Sequence, residues 1–281
     1  MLYTKLKSIT LLVIGLFVFC TSHSQNIQDS AKNEFSASIN YQSTLHYFGR
    51  VDSSKSHGLF PVVGLKSKTG LYLNSTFIFI QNAGTTLIYT GTILEGGYRF
   101  PYSKNFSGNI YYDHFLYKDK SVLVQSALKG QAGINTTYNN KIVNVNVGGD
   151  VKLSNGQTDF GLTAGLDKLF LFRNIIDNAV LAINPSAYIY SGTHSYFKNV
   201  KKNSGLPLLP NNSSSIEQAK QFAILSYEIS APIVLVKGKF NAYISPAYVI
   251  PQNLVTVVNR PDLFERGSNL FYLSAGVGVR L

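Results

Sequence analysis

Residues Val122 to Ser154 read VLVQSALKGQAGINTTYNNKIVNVNVGGDVKLS, and their alternation decides the fold. The even positions run Val122, Val124, Ser126, Leu128, Gly130, Ala132 and Ile134, and the odd ones Gln125, Ala127, Lys129, Gln131, Gly133 and Asn135. After a polar break at Tyr138-Asn139-Asn140-Lys141 the pattern resumes. Val143, Val145, Val147, Val151 and Leu153 then share one face, with Asn144, Asn146, Asp150 and Lys152 on the other. Successive side chains of a strand point to opposite faces, so this is a hairpin with one oily and one wet side. Each arm exceeds the usual soluble strand of about 5–6 residues. It matches the roughly 9–11 residues a tilted strand needs to cross a bilayer.

The rest of the chain repeats this pattern, predicting an all-β fold: a closed antiparallel up-and-down transmembrane barrel of about twelve strands. Phe35, Ala37, Ile39 and Tyr41 alternate with Ser36, Ser38, Asn40 and Gln42 in a first strand running to about Phe48. Strand two is read from Leu59 to Lys66. Phe77 and Phe79 mark the oily face of a third strand, and Glu95 and Arg99 oppose Leu94, Tyr98 and Phe100 on a fourth. Phe160, Leu162, Ala164 and Leu166 oppose Asp159, Thr163 and Asp167 on the eighth. Asn155-Gly156 is a type I′ turn signal before it. The longest irregular stretch is Ser191 to Gln218, and Lys198, Lys201, Lys202 and Leu206-Pro207-Leu208-Leu209 within it are candidates for a lid. A second long loop spans Pro251 to Ser268. Gly96-Gly97 and Gly148-Gly149 read as bends in a curved wall.

Composition agrees. Of 281 residues, 18 are Tyr, 18 Phe and 23 Gly, with no Trp and only 14% charged, which suits alternating strands better than helices. At the N-terminus, Lys5 and Lys7 precede the apolar run Ile9 to Phe19 and the small-x-small site Ser22-His23-Ser24. This predicts a signal peptide over residues 1–24 and one domain over 25–281. Cys20 preceded by bulky Phe19 makes a poor lipoprotein site. With cleavage after Ser24 the mature chain keeps no cysteine, so barrel closure replaces disulfides as the stabilising device. Removing Lys5 and Lys7 from the 25 basic residues leaves 23 against 14 acidic, a net of +9. These cations are scattered, with no basic helix or aromatic-basic motif, which argues against nucleic acid. Loops meeting lipid phosphates or acidic glycans fit better.

Alternation alone does not separate a membrane barrel from a soluble one. The three longest connections follow strands one, nine and eleven, all odd, as expected when long loops share one side and short turns the other. Phe100, Phe106, Phe170 and Tyr248 sit near strand ends, as interface girdles do. The final strand, Asn269 to Leu281, alternates Phe271, Leu273, Ala275, Val277 and Val279 with Tyr272, Ser274, Gly276, Gly278 and Arg280. It resembles the C-terminal strand of bacterial outer-membrane β-barrel proteins, with Leu281 in place of their usual Phe. The resemblance implies an outer-membrane location, contact with lipid and lipopolysaccharide, and recognition of this strand by the barrel-insertion machinery.

The wet faces place Glu95, Arg99, Asp113, Lys129, Asp150, Lys152, Asp167, Glu228 and Arg280 as candidate lumen-lining residues, since charges at membrane depth must face water or one another. The expected function is a small passive channel for polar solutes. The alternative is a closed structural or binding barrel whose loops contact envelope glycans or proteins. Ser154-Asn155-Gly156 resembles part of the His-x-Ser-Asn-Gly motif of the outer-membrane phospholipases, also twelve-stranded barrels. The histidine position is Lys152 here, leaving the serine without a base, so no enzyme is expected. His46, His57, His114 and His194 are too dispersed for a metal cluster, and no cofactor is expected. Solute and oligomeric state are not encoded in any motif.

Overall fold

The computed structural model describes residues 32–51, 56–82, 86–103, 105–118, 128–154, 157–175, 178–201, 214–254 and 267–281. The hairpin residues Val122 to Ala127, the turn Asn155-Gly156, the leader, and the lid candidates Lys202 and Leu206 to Leu209 lie outside them. The strands are β1 (Glu34–Gln42), β2 (His46–Tyr47), β3 (Arg50–Val51), β4 (His57–Lys66), β5 (Leu71–Gln81), β6 (Ile88–Ser103), β7 (Phe106–Tyr117), β8 (Leu128–Tyr138) and β9 (Asn144–Ser154). There follow β10 (Gln157–Asp167), β11 (Phe170–Arg173), β12 (Val180–Ile183), β13 (Ser186–Lys201), β14 (Ser214–Ser230), β15 (Ile233–Lys237), β16 (Phe240–Pro251) and β17 (Leu270–Arg280).

Except for the small β2–β3 pair, all belong to one antiparallel sheet. β17 pairs with both β16 and β1, so the sheet has no free edge there and closes. Three arms are each made of two segments, β10 with β11, β12 with β13, and β14 with β15, which gives a closed barrel of twelve arms. Closure pairs the edges of β1 and β16 through β17 within the wall, as crossing hydrocarbon with strands requires.

The breaks in those three arms share a cause. Lys168 donates its amide to Pro185 O (3.1 Å), Asn184 to Pro232 O (2.9 Å) and Ala231 to Pro246 O (3.1 Å). Proline has no N–H to give a ladder, so a stair of prolines on successive arms interrupts pairing at one level while their carbonyls stay bonded.

Apolar side chains cover the outside. On β1, Phe35, Ile39 and Tyr41 are exposed while Asn40 and Gln42 are buried. On β9, Val145, Val147 and Leu153 are exposed and Lys152 is buried. Near the end that carries both chain termini, Phe106 and Tyr138 pack with ring centroids 5.0 Å apart, and Tyr98 and Phe100 5.8 Å apart. Phe170, Phe172 and Phe240 continue this exposed aromatic belt.

Two boundaries expected from the sequence need correction. β1 ends at Gln42 rather than near Phe48, because Phe48 and Gly49 adopt φ of 49° and 79° and turn the chain between β2 and β3. Positive φ at both central residues is the mark of a two-residue type I′ hairpin. The stretch Ser191 to Gln218 is also not all loop. β13 and β14 stay paired out to Lys201↔Ser214, beyond the last contacts of β13 with β10 at Gly192 and of β14 with β16 at Ser226. Backbone pairing does not require apolar side chains, so a polar ribbon continues past the wall where periodic greasiness stops.

Candidate functional site

The inner wall of β5 to β10 is built from two adjoining rows of directly opposed residues. One row runs Asn74↔Glu95↔Asp113↔Gln131↔Lys152↔Asp159 from β5 to β10. The next runs Tyr72↔Gly97↔Tyr111↔Gly133↔Asp150↔Gly161. In the second row large and minimal side chains alternate, and each large one leans over the glycine beside it. A Cβ on Gly97 would lie 2.5 Å from the Tyr72 ring, and one on Gly133 2.5 Å from Tyr111 Oη. A Cβ on Gly161 would collide with the Asp150 carboxylate. Gly148 likewise makes room for Asn135, whereas a Cβ on Gly96 or Gly149 would meet its nearest neighbour at ordinary van der Waals distance, 4.0 Å from Leu73 and 3.7 Å from Gly161 O.

The polar groups of these rows hold one another. Tyr72 Oη donates to Glu95 Oε1 (2.8 Å) and Asn74 Nδ2 to Glu95 Oε2 (3.1 Å). Arg99 lies over the Tyr72 ring, 5.1 Å from its centroid. Gln131 Nε2 donates to Tyr111 Oη (3.1 Å), and Asn109 Nδ2 to Tyr72 Oη (3.3 Å). Lys152 Nζ forms an ion pair with Asp150, both nearly enclosed. Asp167 accepts from Asn144 and Asn146, and Asp159 accepts from Thr193 Oγ1 (2.8 Å).

These contacts locate most of the residues singled out from sequence. Glu95, Arg99, Asp113, Asp150, Lys152 and Asp167 share the face opposite the exposed apolar stripe, within one connected half of the barrel. Glu228 stands on the other half, hydrogen-bonded to Tyr272 of β17 and opposed to Tyr188 on β13. Arg280 is at the terminal rim, its Nε 3.8 Å from Glu34 Oε1, with half of its side chain exposed. Lys129 is exposed at an irregularity of β8, where pairing with β9 skips between Leu128 and Gly130, so parity no longer fixes its face.

Toward the end opposite the termini the interior changes character. Here the inner face carries Phe60, Val62, Ile78, Ile80, Phe115 and Val249, all buried, so the wet stripe read from the sequence is not continuous. Residues 43–51, which follow β1, account for this: they fold inward. Leu45 packs with Phe60, Ile78 and Ile80, with Ile93 and Tyr117 against them. Inward-facing apolar side chains are tolerated because the loop, and not water, covers them.

Residues 43–51 thus form a strap across the mouth, held at several points. Arg50 Nη1 donates to Leu225 O (3.1 Å) and Arg50 Nη2 to Gln252 O (3.0 Å). The pairing of β13 and β14 shifts at Leu225, and such a bulge leaves a carbonyl aimed away from the ladder. Gln252 N also donates to Leu225 O (2.8 Å). Phe48 meets Tyr190 at 5.2 Å, and His46 meets Tyr272 at 4.3 Å. A Cβ on Gly49 would come within 2.9 Å of Pro251, so the turn needs glycine for space as well as for φ. No sequence signal marked this strap beyond the Phe48-Gly49-Arg50 spelling, because its partners lie far along the chain.

No family model and no curated protein matches this chain. Among solved structures it is similar to the NanC porin, with 9% identity over 88% of this chain and 100% of that one, at a TM-score of 0.45. It is similar to an outer membrane channel from Pseudomonas putida F1, with 10% identity, coverage of 89% and 96%, and a TM-score of 0.48. It also resembles LpxR from Salmonella typhimurium, with 10% identity, coverage of 87% and 99%, and a TM-score of 0.45. Likenesses this distant leave the role of the barrel to be argued from its own residues.

Proposed function

We propose that this chain is an integral outer-membrane barrel that acts as a passive channel for small polar solutes, narrowed at one mouth by the strap of residues 43–51. Residues 1–24 act as the export leader in this reading, β17 is the strand the insertion machinery reads, and the exposed stripe meets lipid and lipopolysaccharide. The observation that carries it is the charged ladder Glu95, Asp113, Asp150, Lys152 and Asp167 on the inside of a wall whose outside is apolar. Charges at membrane depth are costly unless they face water or a partner, and such a wall suits aqueous passage. Asn135, on the same inner face, is exposed, which supports a water-reachable lumen in the terminal half. Twelve strands also enclose more space than side chains alone fill, since eight already just suffice.

A second reading, a closed binding barrel, is favoured by the apolar cluster of Leu45, Phe60, Ile78 and Ile80 at the other end. Catalysis is not proposed: Ser154 has Lys152, bound to Asp150, where a base would stand. Planar-bilayer recording on the purified full chain separates the two. Step conductance sustains the channel, and its absence in wild type and in a strap-released Arg50→Ala variant sustains the closed barrel.

A further inference from the structure

His46 is 5% exposed and sits in the first strand of the strap hairpin. Its Nδ1 accepts the amide N–H of Gly49 (3.2 Å), and its Nε2 has no hydrogen-bond partner. An accepting Nδ1 needs its lone pair, so the neutral ring carries its proton on Nε2. A second proton must enter at Nδ1, where it would face the Gly49 N–H. The same protonation puts a full charge on a buried ring that, among the described residues, has no hydrogen bond or ion pair to a carboxylate.

Among the described residues, the charged and titratable groups around the strap are Arg50, His57 of β4, whose Nδ1 meets Ser43 O, and Glu228, which stands behind Tyr272. Arg50, in the same hairpin, is itself a cation bonded to backbone carbonyls of Phe48, Leu225 and Gln252. From β1 the nearby Gln42 is neutral and donates to Thr44 O. From β17 the Tyr272 ring faces His46, and its hydrogen bond goes to Glu228 on β14. From β16 the approach is Pro251 against Gly49.

We propose that the strap of residues 43–51 is an acid-released latch: a proton on His46 breaks its hydrogen bond to Gly49, undoes the Phe48-Gly49 turn that aims Arg50, and frees the strap from the mouth. That release opens the lumen is a consequence that rests on the channel reading above; the release itself does not. Burial alone lowers the His46 pKa from 6.5 to about 4 in the latched state. The linkage follows in sign. The contribution of neutral His46 to the latched form is full above pH 6.5 and is lost as pH falls toward 4. With these two values the ratio of released to latched strap rises roughly thirtyfold by pH 5 and on the order of a hundredfold by pH 4.

The test uses the full chain in liposomes, with spin labels on Val51→Cys and Asn253→Cys and the distance between them measured from pH 7.5 to pH 4. Wild-type His46 is expected to give a second, longer distance that grows with acid. His46→Asn, whose side-chain oxygen still accepts from Gly49 but does not titrate, is expected to stay at the short distance throughout. No change in wild type, or the same change in His46→Asn, overturns the proposal, the latter assigning the effect to Glu228 or another acid. Should His46→Asn fail to fold, ¹⁵N shifts of the wild-type ring decide: Nδ1 unprotonated down to about pH 5 supports the latch, and titration near 6.5 refutes it. Conductance is recorded on the same samples. Movement without conductance sustains the latch and overturns the channel reading, so the two failures are distinguishable.

Discussion

Phe35 and Leu281 exchange both of their backbone hydrogen bonds, Phe35 N to Leu281 O at 3.2 Å and Leu281 N to Phe35 O at 2.8 Å. This reciprocal pair begins the seam that continues through Ser36↔Arg280 to Gln42↔Ser274 and closes the barrel. Deleting residues 270–281 therefore exposes edges on both β1 and β16, a cost of several kcal/mol for each unpaired group in lipid. The expected outcome is loss of the folded, heat-modifiable band on detergent gels.

The lipid-facing stripe should be measurable as an energy. Val147 is 48% exposed on the outer face of β9. Val147→Arg is expected to destabilise the barrel, with about 2–4 kcal/mol, the cost at the bilayer midplane, as the upper bound. Asn135→Arg, on the inner face, is expected to cost less than about 1 kcal/mol, as lumen substitutions tune passage more than stability. Urea unfolding in lipid vesicles compares the two, and equal losses would contradict the assignment of faces.

The Asp150–Lys152 ion pair is enclosed, with about a tenth of each side chain exposed. Lys152→Met leaves Asp150 buried beside Tyr111 and Gly133, so a loss of about 3–5 kcal/mol is expected. Replacing both partners, Asp150→Leu with Lys152→Met, should recover most of it, since desolvating two charges offsets most of their attraction. A double-mutant cycle on unfolding free energies checks this.

Glu95 and Asp113 stand directly opposite one another on the inner face, where two ionised carboxylates would repel. If the lumen conducts, this pair favours cations, and the reversal potential in a salt gradient should show it. Asp113→Asn with Glu95→Gln is expected to move that potential toward zero while the unfolding midpoint holds or rises. An unchanged potential would remove the pair from any role in selectivity.

Gly133→Val tests the alternation of large and minimal residues along the inner row. The new side chain meets Tyr111 Oη, which accepts from Gln131. Overpacking of this kind costs about 1–3 kcal/mol. Tyr111→Ser in the same background is expected to restore part of the loss, measured again by urea unfolding.

How much of this was legible beforehand follows from the range of each cause. The alternation in Val143 to Leu153 is local, set by the geometry of an extended chain, so strand faces and the outward stripe could be read residue by residue. The broken arms could not be read as such, although Pro185, Pro232 and Pro246 were in view, because their effect depends on their falling at one level of adjacent strands. Parity does not fix the face of Lys129 for the same reason: a bulge belongs to a pair of strands and not to one.

The sequence by itself therefore determined which side of each extended segment is greasy and, from the C-terminal pattern, the kind of wall expected. The tertiary structure alone decided register, the closure of Phe35 on Leu281, the facing of Glu95 and Asp113, and the strap that Arg50 pins to a carbonyl 175 residues away. The physical reason is distance along the chain. Alternation is enforced between neighbours, whereas opposition across strands and the filling of a mouth depend on segments that meet only once the barrel has closed.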